Sequence, residues 1–448
     1  MPRSATQPAP TDRARHLLLR WRNALFVVFG LSGLAVATWL GRVPAVRDLL
    51  DATTFEMGLL VAGLSVGSIV GITLSSHVIA STGAPRAVRI ALVTVGVGLA
   101  AAGLAASSGA GFWAIAVALA VFGLGNGLCD VAMNVSGAAA ERVLGTTVMP
   151  LFHAAFSVGT MAGALLSAGA ELLGVPVAVH VGVVAVGIVV AMVVAVPRLR
   201  PESESVSEAQ AQPQAQAQEA RVDERAPRDP QAARPAAAAA AAEAAPPATW
   251  RDRLSVWRAP GTLLLGLVVL GMATAEGSAN DWLALAMVDG HGLTNEGGAT
   301  VFFVFVTAMT AARIAGAPLL DRFGRVPMLR ASAVAAAAGL LLVILSPWAW
   351  LAVVGVVAWG AGSALGFPVG LSAAADDPRT AAARVSAVAT VGYVAFLALP
   401  PIIGLLGEHV GLLRALLVVL VLIGAAGAAA GAAREPSVSE PGPAAPRG

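Results

Sequence analysis

The sequence predicts an all-α polytopic membrane protein: twelve transmembrane helices in two six-helix halves related by a pseudo-two-fold axis. Three observations carry the prediction. Of the 448 residues, 57% are hydrophobic and only 12% are charged, against about 25% charged in a soluble domain, so there are too few charges to coat a water-facing surface. Apolar stretches of about 20 residues, the length that crosses a bilayer as a helix, recur along the chain. Landmarks of the first half of the sequence then return in the second.

The first six apolar stretches lie at 23–42, 56–79, 86–107, 112–137, 148–172 and 176–197, and the second six at 260–287, 298–320, 327–346, 348–374, 383–406 and 410–433. Gly and Pro within them are tolerated in membrane helices. An Arg-rich start, then ALFVVFGLSGL and Ala35-Val36-Ala37, imitates a cleavable signal peptide, but the repeat needs this segment as a retained first helix. Between the two sets, residues 198–258 are polar, Pro-punctuated and low in complexity. Such a stretch has little to bury and reads as a disordered linker. The expected organisation is a tail at 1–22, halves at 23–197 and 259–433, the linker at 198–258 and a second tail at 434–448.

Charge sets the orientation. Arg13, Arg15, Arg20 and Arg22 precede the first span, Arg86 and Arg89 follow the second, and Arg142 follows the fourth. Arg322, Arg325 and Arg330 follow the eighth, and Arg379 and Arg384 lie between the tenth and eleventh. By the positive-inside rule all fall on one side if both termini are cytoplasmic. Arg42 and Arg47 are exceptions, offset locally by Asp48, Asp51 and Glu56. The absence of Lys beside abundant Ala, Gly and Arg suggests a GC-rich bacterial genome, hence a bacterial cytoplasmic (inner) membrane. A net charge of +2 confined to short loops gives no sign of nucleic-acid binding. The single cysteine, Cys129, excludes an intramolecular disulfide and a multi-cysteine metal site. No metal or cofactor is expected, and the chain is expected to be monomeric.

The halves repeat. Thr38-Trp39-Leu40 answers Asp281-Trp282-Leu283, Gly83 answers Gly324, Gly123-Leu-Gly answers Gly360-Ala-Gly, Phe156 answers Tyr393, and Glu171-x-x-Gly174 answers Glu408-x-x-Gly411. A six-plus-six parallel repeat with a long central loop resembles the major facilitator superfamily, in which substrate sits near the membrane midplane between the halves. GAPLLDRFGR at 316–325 is similar to that superfamily's loop signature. Gly324 permits a tight turn, and the resemblance implies gating through Asp321 with Arg322 or Arg325. The first half keeps Gly83 and Arg86 but has Ala80 where the acid belongs. The alternative is that Arg322 and Arg325 only mark the cytoplasmic side.

In the fourth span, GNGLCDVAMN at 125–134 carries Asn126, Asp130 and Asn134. Positions four apart share one helix face. An acid facing lipid costs about 3 kcal/mol or more, so the stripe is expected to face a partner helix or a watery cavity. An acid four residues before an Asn in this span resembles fucose-type sugar–proton symporters, and the resemblance implies a proton-coupling role for Asp130. GLCDVAMN with LFHAAFSVG at 151–159 is similar to the MosC-like branch of the superfamily. The competing reading of Asp130 is a structural acid paired with Arg313 or His153. His153, at the start of the fifth span, suits a proton relay or a solute hydroxyl, and equally a hydrogen bond between helices.

In the seventh span, AEGSANDW at 275–282 places Glu276 and Asn280 one turn apart, with Asp281 turned away. Glu276 is the second proton-coupling candidate. Asp281 and Trp282 would form an outer rim mirrored by Thr38 and Trp39, the two Trp rings stacking on solute. Trp113, Trp348 and Trp350 fit anchoring at the membrane interface instead. Arg313 lies roughly 12 Å into the bilayer at 1.5 Å per residue and needs an acid that the sequence does not identify. Tyr393 offers either a cavity hydroxyl or a packed contact. Pro400-Pro401 should bend the eleventh span.

These residues favour a secondary transporter of a small polar solute, sugar- or cyclitol-like, coupled to protons. Proton-antiport export of drug-like compounds is the alternative, disfavoured by an aromatic content of 5%. A membrane receptor would bring a folded cytoplasmic module, which the linker does not resemble. An enzyme would need more than Ser157 beside His153 on one helix, and there is no phosphate-binding Gly-rich loop for ATP-driven transport.

Overall fold

The computed structural model describes residues 12–144, 148–200, 256–376 and 380–434. Most of the expected linker and tails, and Arg379, lie outside the described residues. The described chain is helical, without strands: α1 (Asp12–Leu40), α2 (Val43–Leu50), α3 (Thr54–Thr82), α4 (Ala84–Ser108), α5 (Phe112–Leu144), α6 (Met149–Leu172), α7 (Val177–Ala195), α8 (Pro260–His291), α9 (Asn295–Phe323), α10 (Arg325–Leu345), α11 (Ala349–Ser363), α12 (Gly366–Ala374), α13 (Ala381–Val410), α14 (Leu412–Ala415) and α15 (Leu417–Ala429). Among the described residues, twelve segments are long and apolar enough to cross a membrane, the tenth being α11 with α12 and the twelfth including α14 and α15. Val117, Leu172, Val183, Val186, Val334 and Val421 stand exposed, as expected of side chains whose solvent is lipid. Trp113, Trp348 and Trp350 are exposed too.

Helix ends follow from local chemistry. Gly83 and Gly324 both take left-handed φ, +80° and +78°, where a Cβ would be strained. Each closes the preceding helix with the same bond, Gly83 N–H to Ile79 O at 2.7 Å and Gly324 N–H to Leu320 O at 2.8 Å. The repeat read from sequence is thus a repeat of backbone geometry. Gly174 and Gly411, at φ +63° and +83°, repeat likewise after α6 and α13.

The tenth span breaks at Ala364-Leu365, between α11 and α12. Pro368 has no N–H to offer the carbonyl four residues back and its ring crowds it, which frees Ala364 O. In α13 the helix runs on through Pro400 and Pro401. The helix α2, outside all the expected spans, begins with Pro44 in its first turn and ends on Asp51 in the left-handed region.

The chain forms two compact units, whose borders fall inside helices. The first comprises 1–227, Ala279–Thr310 and Leu397–Ala415. There α1 packs on α6, α3 on α5, and α4 on α5 and α7. The α3–α5 contact is backbone on backbone: a Cβ on Gly67, Gly71, Gly123 or Gly127 would collide with Ala120, Leu124, Leu64 or Ser68. Small residues four apart are how membrane helices gain close van der Waals packing when lipid is as apolar as their side chains. The second unit comprises 228–278, Ala311–Phe396 and 416–448. There α10 packs on α11 and α15, the pairing that α4 makes with α5 and α7, and Trp359 Nε1 donates to Ala275 O at 3.1 Å.

Candidate functional site

The glycine face of α5 is consumed by α3 and α4, since a Cβ on Gly125 would meet Val95 and Ala91 of α4. What remains is the stripe of Asn126, Asp130 and Asn134, each half-buried. Asn134 Nδ2 donates to Asp130 Oδ1 at 3.2 Å and to Asp130 O at 2.8 Å. Among the described residues this amide is the carboxyl's one hydrogen-bond partner, and no cation pairs with it. Asn126 makes no side-chain hydrogen bond among them. Cys129, one residue before Asp130, is buried against Ser32 Oγ at 3.3 Å.

His153 is exposed at the start of α6, edge-on to Phe29 with ring centroids 5.3 Å apart. Its carbonyl accepts the Ser157 hydroxyl at 3.2 Å, which occupies the hydroxyl with a local helix bond. No described contact joins His153 to Asp130.

In the second unit Arg313 finds its acid. Its Nη2 lies 3.5 Å from Glu276 Oε1, and its Nε donates to Ala364 O at 3.3 Å. The carbonyl released by Pro368 is therefore taken up by a cation, and the same guanidinium holds Glu276. Both side chains are partly accessible, 31% for Arg313 and 21% for Glu276.

Asn280 and Asp281 in α8 are half-buried, and neither makes a side-chain hydrogen bond or ion pair among the described residues. Trp39 and Trp282 are buried, at 1% and 0% exposure, so neither ring offers an open face in this conformation. The Trp282 Nε1 and Thr38 Oγ1 atoms are buried without a hydrogen-bond partner among the described residues. Tyr393 is exposed on α13.

In the loop signature, Arg325 carries the contacts. It holds Asp376 through Nη1 at 2.7 and 2.9 Å and Ser372 Oγ through Nη2 at 3.2 Å. Asp321 and Arg322 are exposed. Arg322 lies over the Phe323 ring at 5.2 Å, and neither forms an ion pair among the described residues. Gly324 makes the turn that aims Arg325.

Sequence reasoning missed Asp376, the Ala364 carbonyl and the partners of Arg42 and Arg47 other than Asp48. The Pro368 position signalled the second. Nothing local signalled the others. Buried Arg42 pairs with Glu171 at 3.1 Å and donates to Val175 O at 2.7 Å. Burial pulls the Arg42 guanidinium below its ordinary pKa, against the opposing charge of Glu171. Arg47 meets Asp289 and Asp48. Burial opposes its charge too, but the hydrogen bonds it donates to Asp289 and Asp48 carry its pKa above the ordinary value.

Comparison with known proteins places this architecture. The family model for the Major Facilitator Superfamily matches residues 24–395 and 280–447. An uncharacterized transporter, y4wD of Sinorhizobium fredii, is 30% identical over 416 residues, covering 91% of this chain and 98% of that one. The membrane protein MosC of Rhizobium meliloti is 23% identical over 400 residues, 89% and 86% of the two chains. A D-xylose–proton symporter of known structure superposes with a TM-score of 0.66 at 12% identity, over 92% of this chain and 96% of that one, a likeness of fold. The two-fold repeated helices, the Gly324 loop and these matches together make the chain a member of the Major Facilitator Superfamily, whose relatives are transporters rather than enzymes.

Proposed function

We propose that this protein is a proton-coupled secondary transporter of a small polar solute, sugar- or cyclitol-like, working by alternating access in a bacterial cytoplasmic membrane, as a monomer with both termini in the cytoplasm. The observation that carries the reading is the stripe on α5. A carboxyl within a membrane span, held among the described residues by one amide and no cation, has no structural charge there to neutralise, and intramembrane acids of that kind mark ion pathways. Asp130 takes up a proton on one side of the membrane and returns it on the other. Asn126, Asn134, Asn280 and Asp281 offer donors and acceptors to solute hydroxyls or amines. Asn280 and Asp281 do so with no side-chain hydrogen-bond partner to displace among the described residues.

Glu276 is the second proton-coupling group. A neutral Glu276 gives up its charge attraction to Arg313, which then holds only the Ala364 carbonyl, so protonation there loosens α9 from α8. His153, at a helix start, serves the cytoplasmic end of the proton path. Trp39, Trp282 and Tyr393 contribute ring surface once neighbouring helices part. Arg325 with Asp376 is the gate of the Gly324 loop, and Asp321 and Arg322 join it in the alternate state. The proton coupling named for the xylose symporter supports the same direction.

The test is transport by the purified chain in liposomes holding a pH-sensitive dye, offered sugars, inositols, amino-cyclitols and lipophilic cations. A dye response to one polar class is the expected result. A response confined to lipophilic cations would replace this reading with export.

A further inference from the structure

The segment after α1 meets the ends of helices from the second half of the sequence, all within the first compact unit. Arg47 of α2 binds Asp289, near the end of α8, at 2.5 Å, and Asp48 at 3.0 Å. Asn295 Nδ2, opening α9, donates to Asp48 Oδ2 at 2.8 Å. These partners are 242 and 247 positions apart in sequence. The short arm that carries Arg47 is stiff. Pro44 starts α2, Asp51 ends it with φ +48°, and α3 begins at once in a capping box, Thr53 N–H to Glu56 Oε2 at 2.8 Å and Glu56 N–H to Thr53 Oγ1 at 3.2 Å.

Beneath these charges the backbones of α3 and α13 touch. A Cβ on Gly58 would lie 2.8 Å from Pro400 O, and one on Gly404 2.7 Å from Thr54 O. Glycine on both sides lets the two backbones meet directly at these positions.

The ion pairs in this region are of two kinds. Arg42–Glu171 lies within the first half of the sequence, with side chains 3% and 14% exposed, and ties the segment after α1 to α6. Arg47, Asp289 and Asp48 are 20%, 34% and 49% exposed, so water can replace each partner. An exposed pair shifts an equilibrium by about fivefold at most. Two or three such contacts bias a conformation without locking it.

We infer that Arg47, Asp48, Asp289 and Asn295 are an outer latch of the transport cycle: they hold α2 to the ends of α8 and α9, and they part when the passage on that face opens. The latch takes its role from the transport reading, but its presence is measurable without any solute. In a Cys129→Ser background, Thr54→Cys and Gly407→Cys should form a disulfide when this face is shut, because Thr54 Cγ2 lies 3.3 Å from a Cβ placed on Gly407, within disulfide reach.

The rate of that cross-link is followed in the full chain in lipid nanodiscs under mild oxidant. Asp289→Asn, which keeps the side chain's shape, should slow it about threefold or more, and Arg47→Asp with Asp289→Arg together should restore it. Equal rates in all three forms, or a reversal pair no faster than Asp289→Asn, would overturn the latch. A latch confirmed by cross-linking in a protein that moves no solute of any class would leave the latch standing and count against the transport reading.

Discussion

Arg313→Ala is the perturbation whose cost can be worked from the structure in most detail. Arg313 lies 3.5 Å from Glu276 and also donates to Ala364 O. At an effective dielectric of about 20 the charge attraction at this distance is about 4–5 kcal/mol. The side chains are 31% and 21% exposed, and desolvation and solvent screening cut the net value to about 1–2 kcal/mol. The Ala364 bond adds about 1 kcal/mol. Arg313→Ala should therefore cost about 2–3 kcal/mol, Glu276→Ala about 1–2, and the double variant less than their sum by about 1–2 kcal/mol. The assay is reversible unfolding in mixed micelles for the wild type, both single variants and the double variant. Additivity to within about 0.5 kcal/mol would refute the pair and leave Arg313 serving the Ala364 carbonyl alone.

Two further predictions come from the same bookkeeping. Arg42→Ala removes the most buried cation among the described ion pairs and should destabilise the fold by about 3 kcal/mol or more, seen as a lower unfolding midpoint, with Glu171→Gln costing less because Gln can still accept from the guanidinium. Arg325→Ala and Asp376→Ala should slow solute turnover to the same degree, and together no further than either alone, whereas Asp321→Ala should change it less, since Asp321 has no ion partner among the described residues; initial rates in liposomes decide.

Much of the fold is written in the sequence because a membrane allows few solutions. Backbone groups in lipid must bond within their own helix, so apolar length alone marked the twelve spans, and the turn glycines Gly83 and Gly324 marked the repeat. The stripe of Asn126, Asp130 and Asn134 was legible because helical period puts those residues on one face whatever surrounds them. The partner of Arg313 was not legible: Glu276 is distant in sequence, and only the packing of α8 against α9 brings them together. Asp376 reads as one acid of a polar loop until the Gly324 turn aims Arg325 at it. Arg47 and Asp289 look like unrelated loop charges, and Arg47 even contradicts the charge rule that set the orientation. The break at Ala364 was readable from Pro368, since a proline leaves the carbonyl four residues earlier without a donor, and Arg313 is the donor that fills it.

The central claim is that Asp130 carries the coupled proton, and counterflow set beside uphill uptake tests it most directly. Wild-type protein and Asp130→Asn are placed in liposomes with the same labelled solute, once at equal solute concentrations on both sides and once with an imposed proton gradient. The account predicts that Asp130→Asn exchanges solute at a rate comparable to wild type but accumulates none against a gradient, because the amide keeps the Asn134 contact and cannot take a proton. Uphill accumulation equal to wild type would contradict it and return Asp130 to a structural role beside Asn134.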